Sequence, residues 1–397
     1  MEDQLAARTR RAAKKAAEFA DSVDREARFP LEGATCLKSE QLLSLLIPKA
    51  AGGEGRTVGD VAQVCAELGR ACSSTAMIFA MHQVAIACIL EAEPTDFTVG
   101  FLRQVCREQL LVASSTTEAS KGGKINVSSC AVSRKGDNAN LSKEASVISY
   151  GEDADAILCT ARRALDAAAS DQVLVLLLKH QIELRETTQW DTLGMRGTQS
   201  KGFSLRSNFH AEQVLQEKIA VPFVETMQRL SHIFWGAVWY GLATEALFRA
   251  CALVKGQAAT PPVTLARAAC SSQTIWSSVT SLIGVHSERE SQAGFADKTR
   301  QSLFANQVKV SSAELLVEVL SSCMMAAGLR AYRNDTPFSL SRLLRDAFSA
   351  PLMISNERIL ADSGLMMSML DDFGQSFTCA PGEPHDTQSN RMDLGSS

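Results

Sequence analysis

The chain has 397 residues, 46% of them hydrophobic and 21% charged, and its formal net charge at pH 7 is -4. This composition is typical of a globular protein, and the length predicts two or three domains, each with its own core. The weakly acidic balance gives no electrostatic case for a nucleic-acid partner. The 11 cysteines include no Cys-x-x-Cys pair and no cluster with histidine at zinc spacing. We therefore predict free thiols, no metal site and a cytoplasmic location.

Hydrophobic patterning predicts helices in the first and last thirds of the chain. Residues 1–112 carry apolar residues at three-to-four spacing, and residues 215–372 return to this pattern in long segments that predict a four-helix bundle. Residues 373–397 contain Pro, Gly, Ser and Asn and few large apolar residues, which predicts a disordered tail. No continuous apolar run reaches the roughly 20 residues of a membrane-spanning helix, so we predict no membrane span and no membrane partner.

Residues 113–214 predict a compact β domain between the two helical parts. Helical periodicity fades there, and short runs rich in β-forming residues replace it, namely VSSCAVS, ASVISY, AILCTA, QVLVLLL and FSLR. The order of helices, β domain and helical bundle predicts an α+β fold.

Local motifs occur in a fixed order along these three parts. They are RFP (28–30), ELGRACSSTAMIFAMH (67–82), SSTTEASKGG (114–123), WDTLGMRGTQS (190–200), GLRAY (328–332) and RLLRDA (342–347). In this order the chain resembles the acyl-CoA dehydrogenase superfamily of flavoproteins, from about Phe29 to Leu370. The resemblance implies an FAD cofactor and a homodimer or homotetramer.

The resemblance also implies contacts with the flavin ring. Thr117 takes the place of a Thr that bonds the pyrimidine edge, and Ser149 takes the place of a Thr near the reactive nitrogen. Val147 replaces the usual Trp, so the cover over the ring is thinner. Gly123 stands where a Ser normally contacts cofactor or substrate.

Other matches concern the adenosine diphosphate part of FAD. Asn356 stands in for a Thr, and Gly328 belongs to the glycine-rich turn near the cofactor. The Gln before that turn is replaced at or near Met325. The family's R-x-x-F-G segment is absent, and only Lys255-Gly256-Gln257 is found there. We therefore expect weaker FAD binding, or binding through other residues.

The segment WDTLGMRGT predicts a rigid turn that supports the site. Gly194 and Gly197 permit close backbone geometry, and Trp190 offers a large apolar surface with one polar atom. Arg196 is expected to brace the turn by hydrogen bonds to carbonyls or a carboxylate.

The glutamate that acts as catalytic base in most members is missing, since Ile354 occupies its position. Two weak candidates remain. Glu357 lies about one helical turn further on, and His232 lies near the start of the long bundle helix, where some members carry the base. Ser231 and, on an earlier helix, Met81 and His82 are expected to line the substrate pocket.

We predict the first of three functions, FAD-dependent α,β-dehydrogenation of an acyl-CoA thioester. The second, oxygenation of a CoA-linked or aromatic substrate, is its alternative. The first is an acyl-CoA dehydrogenase with a relocated base, which acts on an acyl-CoA or aryl acyl-CoA and passes electrons to O2 or an electron-transfer protein. The second is a flavin-dependent mono- or dioxygenase, of the kind that acts on a CoA thioester in tropone biosynthesis and needs no such base. The third is a scaffold without flavin.

Overall fold

Helices make up the N-terminal part of the computed structural model, which describes residues 4–118, 127–216, 221–255, 262–287 and 295–370. The helices are α1 (Gln4–Glu26), α2 (Leu31–Ser39), α3 (Val58–Ala71), α4 (Ser73–Leu90) and α5 (Asp96–Glu108). Capping boxes start α3 at Thr57 and α5 at Thr95. Helix α4 is apolar on all sides and buried along nearly its whole length, so it forms the core of this part.

Two four-stranded sheets follow, between Val112 and Gln216. The strands are β1 (Val112–Ser115), β2 (Ser133–Lys135), β3 (Asn138–Ile148), β4 (Ala156–Arg162), β5 (Gln172–Leu178), β6 (Ile182–Thr188), β7 (Lys201–His210) and β8 (Val214–Gln216). One sheet has the order β1-β4-β5-β8 and the other β2-β3-β7-β6. Strands β4 and β5 are almost entirely buried, whereas β3 alternates between buried and exposed residues. The first sheet is therefore central and the second has one open face.

The C-terminal part is again helical. Its helices are α6 (Val221–Val254), α7 (Val263–Ser287), α8 (Phe295–Ala327), α9 (Leu329–Tyr332), α10 (Ser341–Ala347), α11 (Ser349–Leu352) and α12 (Asn356–Ser368). Helices α6, α7 and α8 pack against one another, and α6 also packs on α3 and α4. Helix α12 packs on α8 as the short fourth member of the bundle.

The predicted α+β fold with a central β region is confirmed. QVLVLLL coincides with β5, and AILCTA lies within β4. VSSCAVS is wrong as a strand, because β2 begins only at its last residue. The exact domain boundaries stay predictions, and residues 373–397 lie outside the described residues.

Within the described residues, three helices are long and apolar enough to cross a membrane by length and composition, contrary to the expectation from the sequence. They fall within α4, α6 and α8, and the apolar windows are 89%, 50% and 39% buried. The expectation considered only unbroken apolar runs. These helices contain scattered Ser, Thr and Gln, which interrupt such runs but leave the mean hydropathy of the helix high. In this fold α4 is an internal helix of the N-terminal part.

The turn 190–200 is the junction of the three parts. A Cβ on Gly194 would lie 2.2 Å from the carbonyl oxygen of Arg345, and one on Gly197 would lie 2.4 Å from Val23 of α1. The Asp346 carboxylate accepts a hydrogen bond from the Met195 N–H at 2.7 Å, and Arg345 donates to the Leu193 carbonyl at 2.9 Å. The junction therefore excludes a side chain at both glycines.

Arg345 and Trp190 secure this junction further. Arg345 also pairs with Asp24 of α1, so a single guanidinium joins α1, α10 and the turn. The one polar atom of Trp190, Nε1, donates a hydrogen bond to the Met195 carbonyl. The Nε atom of Arg196 has no hydrogen-bond partner among the described residues, so bracing falls to Trp190, Arg345 and Asp346.

We predict that Gly194→Ala destabilises the protein by about 3 kcal/mol, because the added methyl would overlap backbone atoms of α10 that cannot move independently. Urea unfolding followed by circular dichroism measures this. Gly284→Ala in α7 is the matched control, since its Cβ would meet nothing within 4 Å and a helix favours alanine. Equal stability of the two variants would contradict the close packing.

Candidate functional site

A β-bulge lies at the end of β3, in the segment that resembles the family's flavin-contacting motif. The register between β3 and β7 shifts between Ala145 and Ile148. Bulges re-aim side chains at functional sites, and this one leaves Val147 38% exposed. Ser146 within the bulge donates a hydrogen bond to the Thr117 hydroxyl at 2.9 Å. The bulge thus joins the predicted contacts Thr117 and Val147.

Hydroxyl groups continue from the bulge into the junction turn. The Ser149 and Ser200 oxygens lie 2.8 Å apart, and Ser200 and Thr198 are also 2.8 Å apart. Thr198 donates to the Met195 carbonyl at 2.9 Å. Ser149 is half-buried, whereas Thr198 and Ser200 are buried. One side of the site is therefore an ordered row of hydroxyls next to an exposed apolar residue.

A buried ion pair fixes the backbone that leads to Thr117. Lys143 of β3 is 1% exposed and donates to the Ser115 carbonyl, the Thr160 carbonyl and the Thr160 hydroxyl. Its Nζ lies 3.6 Å from the carboxylate of Glu118, which is 4% exposed. Strand β3 and the Thr117–Glu118 segment are therefore held together by charge.

The Glu118 carboxylate also spans the two ends of the predicted flavin loop. It accepts hydrogen bonds from the Ser128 hydroxyl and from the Ser129 N–H at 2.8 Å. Burial raises the pKa of Glu118, but these hydrogen bonds and the Lys143 charge outweigh it and hold the pKa below its usual range. Gly123 lies outside the described residues.

A second group of predicted site residues lies in the segment 349–356, which follows α10 directly. Ile354, which the family resemblance aligns with the base, has a φ of 48°, and Ser355 has a φ of 53°. Among the described residues, five of the eight non-glycine residues with positive φ lie in this segment, in the junction turn or after β3: Tyr150, Met195, Gln199, Ile354 and Ser355. Such strained backbone concentrates at functional sites.

Lys309 of α8 binds the backbone of this segment. No motif in the sequence predicted this role. Its ammonium is buried and donates to the Ala350 carbonyl at 3.2 Å, the Met353 carbonyl at 2.7 Å and the Asn356 side chain at 2.6 Å. Burial, and then the charge of Arg358, lower the pKa of Lys309 to about 8. Three oxygen acceptors therefore stabilise a buried ammonium group next to the backbone that carries Ile354.

Asn356 and Gly328 were predicted to contact the adenosine part of FAD. Asn356 is 7% exposed, and its amide is engaged by Lys309 and by Glu314 at 3.4 Å. Gly328 is exposed at the start of α9 with a φ of 65°, and a Cβ added there would meet nothing within 4 Å. Asn356 thus serves the packing of α12 on α8, while Gly328 faces open space.

The two base candidates occupy different environments. Glu357 is exposed in the first turn of α12, where a carboxylate stabilises the helix terminus. His232 is fully buried, and its Nδ1 donates to the Ala305 carbonyl at 3.0 Å. Burial, and then the nearby Lys309 charge, lower the pKa of His232 to about 3. Its Nε2 is buried without a hydrogen-bond partner among the described residues.

The predicted substrate-pocket residues are mostly buried. His82 is 0% exposed, its Nε2 donates to the Leu43 carbonyl at 2.8 Å and its Nδ1 accepts from the Val112 N–H at 3.0 Å. Both ring nitrogens are therefore used by the fold. Ser231 is 6% exposed, and only Met81 of the three is partly exposed. The structure thus gives His82 a structural role between α4, β1 and the segment after α2.

A flavin ring fits the residues on the β side. Thr117 and Ser149 offer hydroxyls suited to the polar edge of an isoalloxazine, and the exposed Val147 offers an apolar contact for its face. A flavin bound there would supply two-electron redox chemistry. The same fit is not seen for the adenosine part, because Asn356 is already engaged.

Comparisons with known proteins show what the chain is similar to. Residues 1–97 match the family model for the acyl-CoA dehydrogenase N-terminal domain. The chain is 26% identical over 229 residues to a cyclohex-1-ene-1-carbonyl-CoA dehydrogenase from Geobacter metallireducens. That alignment covers 57% of this chain and 60% of the relative.

Solved structures extend the likeness over the whole fold. FMN-bound TdsC from Paenibacillus sp. A11-2, a dibenzothiophene monooxygenase, has a TM-score of 0.80 and 18% identity over 91% of this chain and 96% of that one. The methanesulfinate monooxygenase MsuC from Pseudomonas fluorescens has a TM-score of 0.78 and 16% identity over 92% and 96%. The shared architecture is that of acyl-CoA dehydrogenase-like flavoproteins. The chain therefore resembles the acyl-CoA dehydrogenase superfamily in its fold, and residues 1–97 match that family's N-terminal domain.

We predict that acid destabilises the protein through His82. Burial lowers the pKa of this His to about 4 from an ordinary value of 6.5, so the folded state needs the neutral ring. Its contribution is fully present above pH 6.5 and is lost as the pH falls toward 4, at roughly 1 kcal/mol per pH unit. Urea unfolding of His82→Gln from pH 7 to 4.5 should show a shallower slope than the wild type. His180→Gln, at an exposed position, is the control. If stability fell with pH equally steeply in the two variants, the prediction would be contradicted.

We also predict that Lys143→Met destabilises the protein by about 3–5 kcal/mol, because it leaves the Glu118 carboxylate buried without a cation. The double variant Lys143→Met/Glu118→Gln should recover much of this loss, since both charges are removed together. Thermal unfolding of the single and double variants measures the coupling. Additive losses in the two single variants would show that the ion pair is not what links β3 to this segment.

Proposed function

We propose that the protein is a flavin-dependent oxygenase, which uses reduced flavin and O2 to oxidise an apolar, aromatic or CoA-linked substrate. The observation that carries this proposal is the absence of a suitable proton acceptor among the described residues around Ile354. Removal of an α-proton from a thioester requires a base within hydrogen-bond reach of that proton. Oxygen transfer from reduced flavin does not require this base.

The surroundings of each base candidate support the proposal. Ile354 has no titratable group, and Glu357 is exposed on α12. His232 has a pKa of about 3, so it is a poor match to proton transfer near neutral pH. Lys309 is buried behind Ile354 and its three donors are already used.

The flavin is proposed to be held mainly through its ring. Asn356 is engaged by Lys309 and Glu314 and is not free to bind an adenosine diphosphate. We therefore favour FMN as the cofactor, although the family resemblance implies FAD. TdsC, which has a similar fold, is seen with FMN. If the protein bound FMN and FAD with comparable affinity, FAD would be the cofactor we assign.

A second candidate is an acyl-CoA dehydrogenase, and two observations favour it. The curated relative is a dehydrogenase of a CoA thioester, and the matching family model is that of acyl-CoA dehydrogenases. His232 Nε2 has no partner in the described residues and is the buried imidazole nitrogen left to accept a proton from substrate. An electron-transfer protein or O2 would then take the electrons.

Subunit assembly and location are also proposed. Large apolar side chains are exposed along the C-terminal helices: Met325, Leu329, Tyr332, Phe348, Leu352, Leu360, Leu365 and Met369. An apolar surface of this extent suits a subunit interface, which supports the homodimer or homotetramer expected of the family. The ten cysteines among the described residues are free, which supports a cytoplasmic location.

The test separates the two reactions by their need for oxygen. The protein is loaded with FMN or FAD under anaerobic conditions and mixed with a panel of aliphatic thioesters, aryl thioesters and uncharged aromatic compounds. We expect no bleaching of oxidised flavin by any thioester. We expect instead that chemically reduced flavin, exposed to ¹⁸O2 with the correct substrate, yields a product that carries one labelled oxygen.

Variants identify the residue in either case. Under the proposed function His232→Gln keeps oxygen incorporation, as does the matched exposed variant Glu357→Gln. Anaerobic bleaching by a thioester that His232→Gln abolishes would contradict the oxygenase and establish the dehydrogenase. A protein that binds neither flavin would contradict both functions.

A further inference from the structure

The hydroxyl row at the site has a fixed direction. A serine or threonine hydroxyl carries one hydrogen and can donate one hydrogen bond. Thr198 donates its hydrogen to the Met195 carbonyl, which can only accept. The hydrogen bond between Thr198 and Ser200 must therefore be donated by Ser200.

The same reasoning determines the state of Ser149. Because the Ser200 hydrogen is already given to Thr198, the bond between Ser149 and Ser200 must be donated by Ser149. The Ser149 oxygen keeps lone pairs but has no hydrogen left to donate. Toward a ligand in the site, Ser149 is therefore a hydrogen-bond acceptor only.

The row is anchored firmly enough to keep this direction. The Met195 carbonyl also accepts from Trp190 Nε1 at 3.1 Å, and the Met195 N–H donates to Asp346. Thr198 and Ser200 are 3% and 6% exposed, so water has little access to supply alternative partners. Reversal of the row would leave the Met195 carbonyl without its threonine donor.

We propose that Thr198 and Ser200 are positioning residues that make Ser149 select the reduced form of the flavin. This inference rests on the proposed function and on the family position of Ser149 beside the reactive flavin nitrogen. Reduced flavin carries a hydrogen on that nitrogen, which an acceptor oxygen can bind. Oxidised flavin offers only a lone pair there, which faces the lone pairs of Ser149 without a hydrogen between them.

The expected effect is a difference in affinity between the two redox forms. One hydrogen bond gained or lost changes an equilibrium by up to about tenfold. For a two-electron couple a tenfold change corresponds to about 30 mV in midpoint potential. Ser200→Ala frees the Ser149 hydrogen, which can then be donated to oxidised flavin. This variant should bind oxidised flavin more tightly, and its bound flavin should have a midpoint potential lower by about that amount.

The experiment measures binding and potential rather than turnover. Oxidised-flavin affinity is measured by fluorescence quenching, and the potential of the bound flavin is measured by dye-coupled reduction, in the full-length protein. Thr198→Val is the second variant, since it keeps the side-chain shape and also releases the row. Ser142→Ala, at an exposed position of β3, is the matched control and should leave both quantities unchanged.

A flavin-independent measurement accompanies these. A double-mutant cycle of Ser149→Ala and Ser200→Ala in the flavin-free protein should show coupling in the unfolding equilibrium, because the two hydroxyls share one hydrogen bond. Absence of coupling would overturn the hydroxyl row itself.

The outcomes separate this inference from the function on which it rests. Flavin binding with a potential that neither Ser200→Ala nor Thr198→Val alters overturns the inference and leaves the proposed function intact. If the wild-type protein binds neither redox form of FMN or FAD, the proposed function is overturned. The inference that Ser149 selects reduced flavin is then overturned as well.

Discussion

The hydrogen bond from the Met195 N–H to the buried Asp346 carboxylate is the contact on which the site depends. It joins the junction turn to α10, and Arg345 completes the joint through Leu193 and Asp24. On one side of this joint the row from Thr198 to Ser149 begins at the Met195 carbonyl. On the other side the chain continues directly into the segment that contains Ile354. One residue, Met195, thus links the hydroxyl row to the helix that precedes the Ile354 segment.

Buried cations stabilise the two groups of predicted site residues in similar ways. Lys143 fixes β3 against the segment that carries Thr117, and Lys309 fixes the segment that carries Ile354. Each ammonium donates to two backbone carbonyls, so its charge is compensated by dipoles and by a nearby side chain. Neither lysine belongs to a short motif, and nothing in the local sequence distinguishes either from an exposed lysine. Their roles arise from contacts between residues far apart in the chain.

The base candidates show how burial changes the chemistry that a residue name suggests. A histidine near the start of a bundle helix is an acceptable base by type. Burial of His232 between α6 and α8, and then the charge of Lys309, lower its pKa. His82 loses both ring nitrogens to backbone groups in the same manner. Ile354, by contrast, has a positive φ and an apolar side chain that cannot accept a proton. These environments make both histidines poor proton acceptors near neutral pH.

The sequence by itself determined the order of helices, sheets and helices, the superfamily resemblance, and the rigid turn with its two glycines. These features follow from local periodicity, β-forming runs and close-packed glycines, which a linear sequence records. Only the tertiary structure decided that His82 and Asn356 are internal, that Lys143 and Lys309 are buried cations, and that Ser149 is an acceptor. Desolvation and the direction of a hydrogen bond depend on which distant groups surround an atom, and no local pattern in the chain contains that information.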